Sequence, residues 1–199
     1  FWKKGGGFPT PTGKVELYST VMEQLGYDPL PYHKEPGESP YSTPELYKEY
    51  PLVLTTGYRH AFYFLSQYRN IPWLRSFLKY PVMQINPKTA AKLGIEDGDW
   101  VWIESPRGRI MQKARVYPGI SERVVIATGN CFYPEEPGPF HGMFISNPNV
   151  LTDNTHCDEA YGSPDLTALL VKVYKVEPKD VKEIKSNIYA GFEEIKGWV

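Results

Sequence analysis

Apolar positions in this chain come in short runs, most of them four to nine residues long, separated by glycine, proline and charged clusters. Leu52–Thr55 (LVLT), Val82–Ile85 (VMQI), Trp100–Ser105 (WVWIES), Ile110–Val116, Val124–Thr128 (VVIAT) and Ala168–Val176 (ALLVKVYKV) each predict a strand. Trp100–Ser105 is apolar on both faces, which predicts burial on both. Before it, INPKTAAKL (Ile85–Leu93) predicts a short helix carried by Ala90, Ala91 and Leu93, with Gly94 as its C-terminal stop. Gly98 stands between two acidic residues, where a tight turn calls for positive φ. Pro106-Arg107-Gly108 is turn chemistry that closes a hairpin. Tyr63–Leu78 is helix-prone but interrupted at Pro72, and Gly129–Pro148 is a long glycine- and proline-rich loop of the kind that is functional or disordered. The sum is a mainly β domain over residues 51–176, with about six strands and a few short helices.

The flanks read differently. Residues 1–50 form an extended arm that would hardly fold alone. Gly5-Gly6-Gly7, Pro9 and Pro11 are loop residues, and Lys14–Tyr18 predicts a short strand. Ser19–Leu25 predicts one or two helical turns capped by Ser19 or Thr20 and stopped by Gly26. A brief helix is expected near Pro44–Tyr47. Residues 177–199 read as a helical tail, with Pro178 at its start, Val181, Ile184 and Ile188 on one face, and an end before Gly191. The opening FWKKGGG has no initiator methionine and reads as a piece of something longer.

Composition narrows the function classes. With 22 basic and 23 acidic residues the net charge is −1, so neither a nucleic-acid surface nor an acidic solvating tail is indicated. Fifteen per cent aromatic residues fit either a β-rich domain or arms that wrap a partner surface. Cys131 and Cys157 are too few for a disulfide framework or a zinc site. His156-Cys157-Asp158 has no second ligand pair at metal spacing. No apolar run reaches the ~18 residues of a membrane span. Triad, P-loop and paired-carboxylate signatures are missing, so the expected chemistry is binding, with no catalytic residue in this chain.

Three blocks carry that expectation. Thr55-Thr56-Gly57-Tyr58-Arg59-His60 follows a buried strand. There a glycine admits an anion close to the backbone, hydroxyls can reach phosphate, and Arg59 adds a charged fork; an ordinary strand-to-loop turn would use the same residues. Ser146–Asp153 (SNPNVLTD) holds Asn147 and Asn149, which either cap their own turns or offer a paired donor and acceptor to the edge of a bound ring. The third block is the loop Phe132-Tyr133-Pro134-Glu135 through Phe140-His141. Together with GIEDGDWVWIESPRGRI (Gly94–Ile110) and GFPTPTGKVELYS in the arm, these blocks resemble the C-terminal cofactor-binding domain of the molybdopterin oxidoreductases, the dimethyl-sulfoxide-reductase family. TTGYRH and NVLTDNTHCDEAYGSPDL are most similar to the branch with acetylene hydratase and the thiosulfate or polysulfide reductases.

The resemblance implies a double-psi β-barrel that clasps molybdopterin guanine dinucleotide without being catalytic alone. By position it implies cofactor contacts at Thr56, Gly57, Tyr58, Arg59, Phe64 and Ser66, at Asn149, at His141 and at Thr167. This chain departs from the family where Tyr58 intervenes before Arg59, where Leu65 replaces a histidine, and where Thr167 replaces a lysine. Molybdenum or tungsten, its protein ligand and any iron–sulfur cluster would belong to upstream domains of the same catalytic subunit. Iron–sulfur electron-transfer subunits would be further partners, and either the bacterial cytoplasm or the periplasm would suit. The Gly98 hairpin fits equally a non-catalytic double-psi barrel used for protein recognition. A self-cleaving pyruvoyl enzyme on the same barrel does not suit, because Gly162-Ser163 is followed by Pro164 outside the hairpin.

Overall fold

The computed structural model describes residues 7–134 and 136–180. Six strands close into a barrel in the order β1-β5-β2-β4-β3-β6. They are β1 (Leu52–Tyr58), β2 (Val82–Ile85), β3 (Trp100–Ser105), β4 (Gly108–Val116), β5 (Val124–Thr128) and β6 (Leu169–Lys175). The pairs β1·β5 and β2·β4 are parallel and the other four are antiparallel. Two interlocked parallel crossings within an otherwise antiparallel closed barrel are the double-psi arrangement, as expected. Short helices lie between the strands: α1 (Thr20–Gln24), α2 (Pro44–Glu49), α3 (Pro72–Phe77), α4 (Pro87–Lys92) and α5 (Met143–Ser146).

Period-two alternation builds the interior. Leu52 and Leu54, Met83 and Ile85, Val101 and Ile103, Ile110 and Ala114, Val125 and Ala127, and Leu169, Val171 and Val173 form one buried cluster. Leu151, fully buried, joins this cluster from outside the strands. A second cluster of Trp100, Met111, Tyr133 and Val176 covers the outer face of the β3–β4 hairpin. The hairpin depends on its glycines: Gly98 has φ +86 and its N–H donates to Ala114 O, while Gly94 ends α4 with φ +66.

Several local expectations are corrected. Trp102 and Glu104 are only half-buried, so β3 is not covered on both faces. Arg109 lies over the Trp102 ring at 4.1 Å and shields it only in part. Lys14–Tyr18 forms no strand, because a closed barrel leaves it no edge to join. Only Pro72–Phe77 of the 63–78 segment is helical; Leu65 and Tyr68 take positive φ and break the helix before the proline does. The 129–148 loop contains α5 and ends in a 3-10 turn, Pro148–Val150. The bulk of the expected C-terminal helix lies outside the described residues.

A largely buried charged clamp fastens the arm to the barrel, alongside the exposed pair of Lys34 with Glu159 and the longer contact of Lys172 with Glu49. Arg107, at the hairpin tip, forks onto the Glu38 carboxylate, and Glu38 also accepts the Leu170 N–H at 3.1 Å. The α1 start is capped as predicted, with Ser19 Oγ accepting from Met22 N.

Candidate functional site: a cleft at one end of the barrel

One end of the barrel gathers the candidate residues. Strands β1 and β5 run parallel and both finish there, at Tyr58 and Thr128. The β3–β4 turn and the start of β6 lie at the same end, since Leu54 pairs with Leu169 and Ser105 with Gly108. The expected turn at Thr56-Gly57 is instead part of β1, which continues to Tyr58. Register runs Thr56↔Ala127 and then Tyr58↔Thr128, so Gly57 is an extra, bulged residue with φ +107. That backbone suits glycine alone, and open space lies where a Cβ would stand.

The other predicted residues are placed as follows. Thr56 Oγ1 donates to Leu166 O at 2.6 Å, which ties β1 to the residue before Thr167, itself exposed. Its proton is therefore used, and toward a ligand it can only accept. Tyr58 packs edge-on against His60 with ring centroids 4.5 Å apart. Arg59, Phe64 and Ser66 are exposed. Leu151 O accepts from Ser105 Oγ and from Arg107 Nε at 2.6 Å, and this holds the Pro148–Val150 turn at the same end. Asn147 takes the capping role, accepting from Asn149 N, while the Asn149 side chain is exposed and bonds to none of the described residues. His141 is tied into its own loop: Nδ1 lies 2.7 Å from Glu136 O and its carbonyl accepts from Tyr133 N.

A cleft opens between the ends of β1 and β5. It is lined by Gly57, Tyr58, Arg59, His60, Tyr63, Leu65, Arg69, Thr128, Gly129 and Asn130, with no acidic residue among them. His60, Arg69 and Gly129-Asn130 were not singled out as site residues from the sequence. The Gly-Asn pair directly after a strand was the available signal; nothing marked Arg69, whose burial is a product of the fold. The positive-φ non-glycine residues among those described are Leu65, Tyr68, Asn130 and His141. All four sit in the two loops that leave this end, and strained backbone gathers at functional sites.

Hydrogen bonding fixes the state of His60. Thr128 Oγ1 donates to Val82 O at 2.7 Å and accepts from Val82 N at 3.0 Å. Its single proton is spent, so at 3.1 Å His60 Nε2 is the donor and carries the hydrogen. Burial, reinforced by the charges of Arg69 and Arg115, lowers the His60 pKa from 6.5 to about 4. The unfolded chain therefore takes up this proton more readily than the folded one. The His60 contribution to stability is intact above pH 6.5 and is lost as pH falls towards about 4. His60→Gln keeps a donor for Thr128 and removes the titration. Melting temperatures measured across this range should fall less steeply in the variant; parallel curves would contradict the assignment.

Among the described residues no group of three His, Cys, Asp or Glu side chains is arranged to hold a metal, and no helix is long and apolar enough to cross a membrane. Cys131 is fully buried, and burial pushes its thiol up to about 11, so it is a neutral packing residue at ordinary pH.

The fold class is thus a double-psi barrel with a basic cleft at the strand ends. Residues 52–170 match the "Molydopterin dinucleotide binding domain" family model, and the chain belongs to that family, found in dimethyl-sulfoxide-reductase-type oxidoreductases. A dopamine dehydroxylase of Eggerthella lenta is 43% identical over 183 residues, covering 90% of this chain and 18% of the relative. Acetylene hydratase of Syntrophotalea acetylenica is 40% identical, with coverage of 88% and 25%. The dimethyl sulfoxide reductase DmsA of Escherichia coli K12 is 35% identical, with coverage of 84% and 21%. The solved acetylene hydratase from Pelobacter acetylenicus superposes with a TM-score of 0.78 at 38% identity, covering 88% of this chain and 25% of that one. The chain therefore spans about a quarter or less of the length of these relatives, in which the domain is part of a large catalytic subunit.

Proposed function

We propose that this chain clasps molybdopterin guanine dinucleotide as the cofactor-binding end of a larger molybdenum or tungsten oxidoreductase subunit. The observation that carries the reading is the open glycine bulge at the end of β1, bordered by arginines and free of acidic residues. An anionic cofactor fits such a place: its charge finds guanidinium partners and its phosphates can approach a backbone that no Cβ shields. Thr56, Gly57, Tyr58 and Arg59 would form one wall, continued by Phe64 and Ser66. Asn149, with an uncommitted amide, would meet a ring edge, and Thr167 and His141 would lie at the margin. When bound, the pterin-held metal supplies the redox chemistry, while these residues bind and orient. The barrel of residues 51–176 would be the cofactor domain, with residues 1–50 as an arm leading from upstream domains and residues 177–199 as an appended tail. Exposed Phe62, Phe64, Trp73 and Phe77 beside the cleft would be covered by those domains, and iron–sulfur subunits would dock elsewhere on the complete enzyme.

Half a site lacks much of the binding energy of the whole one. The purified chain should bind the intact dinucleotide, retain no stoichiometric molybdenum or tungsten through chelation and gel filtration, and show no turnover. Metal analysis with activity assays checks this. Stoichiometric metal or redox activity without added subunits would contradict a clasp-only role.

A further inference from the structure

We propose that the cleft is a diphosphate subsite whose anchor is the buried guanidinium of Arg69. This inference rests on the cofactor reading above and assigns a residue to one part of that ligand. Arg69 is 4% exposed, and its Nε is buried without a hydrogen-bond partner. The guanidinium lies over the Tyr63 ring at 4.6 Å, and Nη2 points to Cys131 Sγ at 3.6 Å. Neither neighbour carries a negative charge, since the Cys131 thiol titrates at about 11. A buried cation with only a ring and a thiol beside it is electrostatically incomplete. Among the described residues no carboxylate lines the cleft to complete it. His60 cannot act as a counter-ion either: it is neutral, and its Nε2 hydrogen is committed to Thr128.

A second guanidinium, Arg59, is exposed at the mouth of the same cleft and forms no ion pair among the described residues. The site therefore offers one cation at depth and one at the rim. Two cations at different depths call for a ligand with at least two adjacent negative charges, and in a dinucleotide that part is the diphosphate. Gly57, with open space above it, lets the anion reach the strand end, and Asn130 at φ +54 lines the same cleft. The pocket formed by Glu38, Asp153, His156 and Asp165 would repel the same group. Charge thus sets a direction, with phosphates over β1–β5 and away from the start of β6.

The test uses the isotopically labelled chain with three probes: inorganic pyrophosphate, GDP and uncharged guanosine. Pyrophosphate and GDP are expected to shift the Arg69 Nε–H resonance, and guanosine is not. Both anions should raise the His60 titration midpoint, because the bound charge offsets Arg69 and Arg115; Tyr58 and Tyr63 are the titratable rings packed against that imidazole. Arg69→Lys, which keeps the charge but loses the fork, should weaken pyrophosphate about tenfold, and Arg69→Gln should weaken it further. Circular dichroism of each variant reports folding, and the wild-type His60 midpoint needs no variant at all. An unmoved His60 midpoint and Arg69 resonance at millimolar pyrophosphate would overturn the proposal. So would undiminished affinity in folded Arg69→Gln. If the intact dinucleotide still binds in either case, only the subsite assignment falls; if it too fails to bind, the clasp reading falls with it.

Discussion

Gln112→Leu should lower the unfolding free energy by about 3–5 kcal/mol, a large share of the ~5–15 kcal/mol that holds a domain folded. Gln112 is 0% exposed and sits on β4 beside the end of β5. Its Nε2 donates to Thr128 O and to Ser146 O, both at 2.9 Å, and its Oε1 accepts from Thr128 N at 3.0 Å. One amide thus satisfies three backbone groups that no solvent reaches. Leucine is close in volume but leaves Thr128 N and Ser146 O unpaired and Thr128 O with only the weak Cys131 thiol donor at 3.5 Å, each lost partner costing about 1–3 kcal/mol before relaxation. The clamp also fixes Thr128, which in turn holds Val82 and orients His60. Urea unfolding of wild type and variant is the check. A midpoint change worth less than about 1 kcal/mol would mean that the groups find other partners.

Gly57→Val should abolish measurable dinucleotide binding while leaving the barrel folded. At φ +107 a β-branched residue is strained, costing about 1–3 kcal/mol. Beyond its own chain neighbours, no atom of the described residues lies within 4 Å of the new Cβ, so the core need not move. The isopropyl group would instead stand in the space offered to the ligand. Gly26→Val is the matched control, with φ +82 and open surroundings in the arm. Both variants should lose comparable stability, but only Gly57→Val should lose affinity, by at least about tenfold. Equal affinity in the two would separate the bulge from binding.

The sequence showed the barrel more clearly than the site. The short apolar runs VVIAT and WVWIES are local signals bounded by turn residues, and both segments are strands because nothing long-range had to be known. Gly94 and Gly98 were legible for the same reason, as each answers a turn written in its immediate neighbours. Gly57 was recognised as special but placed after the strand. Its bulge is set by register with β5, some seventy residues later in the chain, which no local pattern contains. The 63–71 segment has helical composition, yet its backbone turns left-handed at Leu65 and Tyr68, in the same loop that buries Arg69. A buried arginine in a polar-looking YRN triplet carries no sequence signature, so the cleft's most distinctive residue stayed hidden. Asn149 was proposed from the resemblance alone, and Asn147 took the ordinary capping role that left the Asn149 amide uncommitted.

Amide hydrogen exchange of the chain with and without molybdopterin guanine dinucleotide tests the central claim most directly. The account predicts slowed exchange at Gly57–His60, at Gly129-Asn130 and around Asn149, all at one end of the barrel. Protection confined to the opposite end, around Asn86, Lys92 and Arg123, or none at saturating ligand, would contradict it.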